Sequence, residues 1–341
     1  MTYILRCFLL VLLVAGGLPV TASSPSYHLL KEISIGGDGG WDYLSCDADA
    51  HRLYVSHGTK VVVIDTEKDA VVSEIDDTPG VHGFALAPDL SLGFSSNGKE
   101  NKASIVDLKT LKTVSKAPTG KDPDAILYVS GHNEVYTFNG DSQSATVFAA
   151  ETGKVAATIG LPGKPEFAAY DPSADLVYDN LEDKNEVVVI DAKSHQVLRT
   201  CPLVKGGQPT GLSIDAAHHC LFVGCRHPQA LLMLDATTGE TVGNIPIHAG
   251  VDATAFDPGT QLAFASTGEG FVAIAHEDSP HKLTAVQSLA TQPGARTMAL
   301  DVKTHKIYLA TAQFEPLPAG APAHTRPKPV PGTFKILVYG M

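Results

Sequence analysis

The sequence predicts an all-β fold, a seven-bladed β-propeller of four-stranded blades whose ring is closed by the N-terminal strand. Three observations carry this. A unit of four short strand-like runs, clearest in residues 165–200 (PEFAAYDPSADLVYDNLEDKNEVVVIDAKSHQVLRT), recurs with changed letters along the chain. The residue that opens its first turn falls at Asp47, Ala87, Val129, Asp171, Asp215, Asp257 and Asp301, at intervals of 40 to 44 residues. Seven residues further on stands an aromatic each time: Tyr54, Phe94, Tyr136, Tyr178, Phe222, Phe264 and Tyr308. In a chain with 7% aromatics, seven hits in seven units is far above chance. Four strands per period of about 40 residues is the signature of propeller blades.

The chain begins with a segment to set aside. Arg6 is the only charge in residues 1–22, and the apolar run Leu9–Leu18 is short for a bilayer span. Val20-Thr21-Ala22 then supplies small residues before a cleavage point. Residues 1–22 are therefore expected to be a secretory signal peptide, cut after Ala22. The remainder, 23–341, is expected to be one propeller in the periplasm or outside the cell, with no membrane span. Export permits disulfides, and Cys46, Cys201, Cys220 and Cys225 leave three full pairings open. Cys220 and Cys225 flank one extended run and stand too far apart to bridge. No C-x-x-C pair occurs, which favours structural thiols over a zinc knuckle or redox site. The net charge of −12 argues against nucleic acid or an anionic membrane as partner.

Within the clearest unit, strands are expected at Glu166–Tyr170, Leu176–Asp179, Glu186–Ile190 and Gln196–Arg199. Several third strands end on aspartate (Asp65, Asp107, Asp191, Asp235), which can accept from its own backbone two residues on and so start a turn. The periodic aromatics lie inside strands, so packing between neighbouring sheets explains them better than a stacking platform. The seventh unit lacks a fourth strand, and His28–Gly36 has the pattern of the fourth strands Val71–Ile75 and Thr241–Ile245. Borrowing it would close the ring and remove the open edges between blades. That unit also carries an insertion, Phe314–Thr333, with six prolines that favour extended segments. Its basic residues His324, Arg326 and Lys328 make it a candidate partial lid over an acidic channel mouth.

The blade patterns RLYVSHGTKVVVIDTEKDAVVSEI and LVYDNLEDKNEVVVIDAKSHQVLRT resemble those of the YVTN-repeat, YncE-like β-propellers of bacteria. The resemblance covers essentially the whole chain after the leader. It implies the fold and export; the family is largely without assigned activity, so it implies no reaction. No Gly-His…Trp-Asp pattern supports a WD-repeat scaffold. Trp41 is the only tryptophan, which argues against the repeated tryptophans of quinoprotein blades and hence against pyrroloquinoline quinone.

The first strand of each blade should line the central channel. Five residues before each turn marker stand Asp42, His82, Asp124, Glu166, Thr210, Asp252 and Arg296. Six of the seven are ionisable, at a position expected to face the channel mouth. The ring could hold a small polar ligand, or it could be a closed set of salt bridges, with Arg296 between Asp42 and Asp252. His82, Asp124 and Glu166, from adjacent blades, offer one nitrogen and two carboxylates to a divalent ion. An outer collar is expected from His57, Asn97, Asn139, Asn180, Arg226 and Thr267, with Asn97-Gly98 and Asn139-Gly140 also plain turn dipeptides. Asn180 and Arg226 join the ring as candidate ligand contacts, and Glu182 and Asp183 belong to the collar's loops, where charged residues are mostly just solvated. Histidines 51, 132, 218, 219 and 305 fall in the turns of the opposite face and are not expected to converge on one metal. The function expected is binding of a small ligand or a protein partner on the loop face. The alternative is a metal-assisted hydrolase or lyase in the axial pocket.

Overall fold

A computed structural model of the chain describes residues 26–318 and 327–341. The expected leader and the centre of the Pro-rich insertion lie outside the described residues. Among the described residues the strands form seven four-stranded antiparallel sheets. Blades 1 to 6 occupy residues 41–75, 81–118, 123–160, 165–202, 209–246 and 251–290, each in sequential strand order. Blade 7 combines Thr297–Asp301, Lys306–Thr311 and Lys335–Gly340 with the N-terminal strand His28–Ser34 as its outer member. That strand runs antiparallel to the last one, from His28 opposite Gly340 to Ser34 opposite Lys335. The ring is closed as the repeat count requires. No described helix is long and apolar enough to cross a membrane.

Each blade passes from a half-polar inner strand to an exposed outer one. The third strands are buried on both faces, as in Lys60–Asp65, because neighbouring blades cover them. The seven periodic aromatics are all buried to within 2%. Two of the tyrosines also tie blades together: the Tyr136 hydroxyl donates to the Ala192 carbonyl at 3.0 Å and the Tyr178 hydroxyl to that of Ala236 at 3.4 Å. Phe222 instead stacks on Phe256, with centroids 4.9 Å apart. The packing explanation of these aromatics holds.

The turns repeat as closely as the strands. Asp47 accepts from the backbone N–H of Asp49 and Ala50, and Asp65 from those of Glu67 and Lys68. Four residues after each marker the chain is left-handed in every blade: His51, Ser91, Asn133, Asp175, His219, Gln261 and His305 have φ between 53° and 58°. His, Asn and Asp are enriched among the residues that tolerate this conformation, which accounts for three of the turn histidines. Two then reach the preceding blade: His219 Nδ1 lies 3.1 Å from Asp171 and His305 Nδ1 2.7 Å from Asp257. Cys46, Cys201, Cys220 and Cys225 are four free thiols. Burial pushes the thiols of Cys46, Cys220 and Cys225 up to about 12, as inert structural cysteines require.

Candidate functional site

The inner strands of blades 1 to 6 share one irregularity at the channel mouth. Pairing with the second strand starts at Trp41, Val81, Pro123, Pro165, Pro209 and Val251, and then the inner strand carries one extra residue. A bulge re-aims the side chain it carries. The residue in the bulge is Asp42, His82, Asp124, Glu166, Thr210 or Asp252, the ring expected from spacing. Arg296 occupies the same place just before Thr297–Asp301.

Six of these seven side chains meet in an axial cavity of about 270 Å³, lined by Asp42, His82, Asp124, Glu166, Asp252 and Arg296 together with Tyr43, Lys164, Glu182 and Arg226. Thr210 is the exception. It is buried, and its hydroxyl donates to the Val251 carbonyl at 2.9 Å, sewing blade 5 to blade 6. The backbones approach closely here: a Cβ on Gly211 would fall 2.5 Å from the Thr254 nitrogen.

The collar keeps the expected register in four blades and departs from it by one residue in two. The residues paired with the mouth of blades 1, 2, 3 and 6 are His57, Asn97, Asn139 and Thr267, but in blades 4 and 5 they are Leu181 and Cys225. Asn180 is therefore one residue out of step, and a one-residue slip turns a side chain to the other face. It is buried and donates to the Thr210 and Gly211 carbonyls at 3.0 and 3.1 Å, so it joins blades rather than lining the cavity. Asn97 and Asn139 are buried too and brace their own hairpins, Asn97 donating to Ser104 and Asn139 to Thr146. Arg226, one step beyond the collar position, reaches over the mouth.

Charge in the cavity is divided into two groups. On one side Arg226 and Arg296 both clamp Asp252, and Arg226 also reaches Glu182 at 3.1 Å. Lys164 continues this network, 2.7 Å from Glu182 and 3.8 Å from Glu166. On the other side His82 Nδ1 lies 2.7 Å from Asp42 and 3.5 Å from Asp124, and its Nε2 lies 3.8 Å from Asp122. Burial opposes the His82 charge, but the Asp42 hydrogen bond and the charges of Asp124, Asp42 and Asp122 outweigh it and push the imidazole up to about 9. Burial, reinforced by Asp42, pushes Asp124 up to about 7. Burial, with the charges of Asp124 and Glu182, holds Glu166 well above the usual carboxylate range. One Asp124 oxygen is buried and accepts no hydrogen bond.

The expected metal set changes membership. Asp42, His82 and Asp124 bring their ligating atoms within 4.8 Å of one another, whereas Glu166 faces Lys164. Asp42 takes the place expected of Glu166, because His82 leans back toward blade 1. Glu182, expected in the collar loop, lines the cavity, whereas Lys164 is a site residue that strand spacing missed. Lys164 sits in the loop before blade 4's inner strand, where no counting rule places a side chain. The only signal was that Lys164 and Glu166 bracket Pro165.

Beside this polar well lies a larger and more apolar cavity of about 470 Å³, bordered by Trp41, Arg226, Arg296, Phe314, Pro327 and Pro329. The stems of the insertion thus stand at the mouth, paired by Phe314 with Pro329 and by a bond from Glu315 N–H to the Lys328 carbonyl. The centre of the expected lid, with His324 and Arg326, lies outside the described residues.

No protein-family model and no curated protein matches the chain. Among solved structures, a chain of Kuenenia stuttgartiensis hydrazine synthase is similar to it with a TM-score of 0.71 and 14% sequence identity. The likeness covers 87% of this chain and 95% of that one, and it shows the fold alone: a seven-bladed β-propeller.

Proposed function

We propose that this chain is an exported binding propeller that takes a small, positively charged polar ligand in its axial well, between Asp124 and Glu166. Kinship with the YVTN-repeat, YncE-like propellers and a periplasmic or extracellular location belong to the same reading. The observation that carries it is a pair of carboxyls whose nearest basic groups are committed elsewhere: His82 lies 2.7 Å from Asp42 but 3.5 Å from Asp124, and Lys164 lies 2.7 Å from Glu182 but 3.8 Å from Glu166. Asp252 and Glu182 are matched by Arg226, Arg296 and Lys164, and Asp42 by His82. Burial raises both carboxyls, reinforced at Asp124 by the charge of Asp42 and at Glu166 by that of Asp124. A set of salt bridges complete in itself would leave neither carboxyl short of a partner, since buried charge is costly unless paired. A cation entering here restores both ionised carboxylates. The apolar shoulder by Trp41 and Phe314 gives room for a carbon body attached to the charged head.

The second reading, metal-assisted hydrolysis or elimination in the same well, is favoured by the Asp42, His82 and Asp124 cluster. Against it, both His82 ring nitrogens face carboxylates, which suits an imidazolium better than a metal ligand. The test is a thermal-shift panel of small amines and guanidines beside matched neutral and anionic analogues. Cationic members should raise Tm, and Glu166→Gln should abolish the rise. A preference for anions, or full stabilisation retained in Glu166→Gln, contradicts the proposal. Stabilisation by a divalent ion alone, lost on chelation, favours the metal reading.

A further inference from the structure

The opposite face carries a rim of histidines, each from a turn, and most are matched one to one. His132 pairs with Asp175 at 2.9 Å, His195 with Glu134 at 2.8 Å, His219 with Asp171 and His305 with Asp257. One site breaks that rule. His218 Nδ1 lies 2.8 Å from Asp215 Oδ2 and 3.2 Å from Glu277 Oε1, so a single ring nitrogen faces two carboxylates. Asp215 and His218 come from the first turn of blade 5, and Glu277 from the third strand of blade 6.

Glu277 is the informative residue. Its side chain is fully buried, and neither oxygen accepts a hydrogen bond of good geometry. Its place in the blade is that of Ala150, Ala192 and Ala236 in blades 3, 4 and 5, where a small residue fills the seam. A carboxylate there is expensive unless something answers it. Among the described residues no lysine or arginine forms an ion pair with Asp215 or Glu277. The one imidazole N–H can be directed at only one of the two oxygens, and the His218 Nε2 has no carboxylate partner among the described residues. The buried Cys220 thiol lies alongside, against Glu277.

We propose that Asp215, His218 and Glu277 bind a divalent transition ion, zinc by preference, that staples blade 5 to blade 6. Three ligand atoms within 4.8 Å of one another can surround an ion at bond lengths of about 2.0–2.2 Å. Imidazole with carboxylates suits zinc better than calcium or magnesium, which take oxygen alone. Because the donors come from two blades, the ion acts on stability rather than on the axial well.

The test uses the full chain, chelator-treated and then titrated with zinc chloride, in a His82→Ala background that silences the axial cluster. The proposal expects one bound zinc and a Tm rise of a few degrees, roughly 3–8 °C at saturation. His218→Ala, a change at a part-exposed side chain, should weaken zinc binding at least about tenfold and remove the rise. Glu277→Gln should do the same, while a shared proton between the carboxyls predicts instead that it stabilises the protein without zinc. If Glu277→Gln does not fold, His218→Ala decides alone. Equal zinc binding with and without His218, or no zinc bound at micromolar concentrations, overturns the proposal.

Discussion

His82 and Asp124 lie side by side in the axial cavity, and their shifts act on stability in the same direction. A carboxyl held above its unfolded value favours the protonated fold. Asp124, raised from 3.8 to about 7, therefore contributes stability at acid pH that is lost as pH rises through 7. His82, raised from 6.5 to about 9, contributes stability that is full below about 6.5 and lost as pH climbs through 9. Asp124→Asn should thus gain on the wild type as pH goes from 5 to 8, by an amount on the order of a few kcal/mol. Urea unfolding of both proteins at the two pH values measures it. A constant difference between them would mean that Asp124 titrates normally. Six of the seven mouth residues were legible from spacing because a bulge repeats at one offset from each turn. Thr210 was not, because a hydroxyl at that offset finds a carbonyl in the next blade. Lys164 was not, because it belongs to a loop whose course no periodicity records.

At the scale of the strand, ring closure rests on nine residues at the N-terminal end. Ile33 is buried, and Tyr27 packs edge-on to Phe264 at 5.3 Å while its hydroxyl donates to the His305 carbonyl at 2.7 Å. Deleting residues 27–35 should bare the apolar edge of Lys335–Gly340 and give aggregation in light scattering. A monomeric deletion variant with unchanged Tm would show that the closure contributes nothing. The periodic aromatics make a second expectation: Phe222→Ala should cost about 3–5 kcal/mol in denaturant unfolding, as a large cavity in a rigid seam does. A cost below about 1 kcal/mol would mean that the seam collapses to fill it. The strands were legible because alternation and turn residues repeat seven times. The collar register in blades 4 and 5 was not, since Asn180 and Leu181 differ by one position, and only pairing reveals which faces the mouth.

For the whole molecule, the repeat dictates the ring, and the ring decides where six ionisable residues meet. What enters the well is not written in any period, because blades preserve packing positions while the mouth residues differ from blade to blade. Export has its own check: protein recovered from its native cells should begin at Ser23 by N-terminal sequencing, and a retained Met1 would refute cleavage after Ala22. The axial well is tested most directly by placing a cation in it. Crystals of the full chain soaked in guanidinium chloride at millimolar concentration, with a difference map, locate an organic cation without drawing on the metal cluster. A cation-binding well predicts a difference peak in the axial cavity, within hydrogen-bond distance of Asp124 or Glu166. A map with peaks only elsewhere, and both carboxyls unmoved, would contradict it.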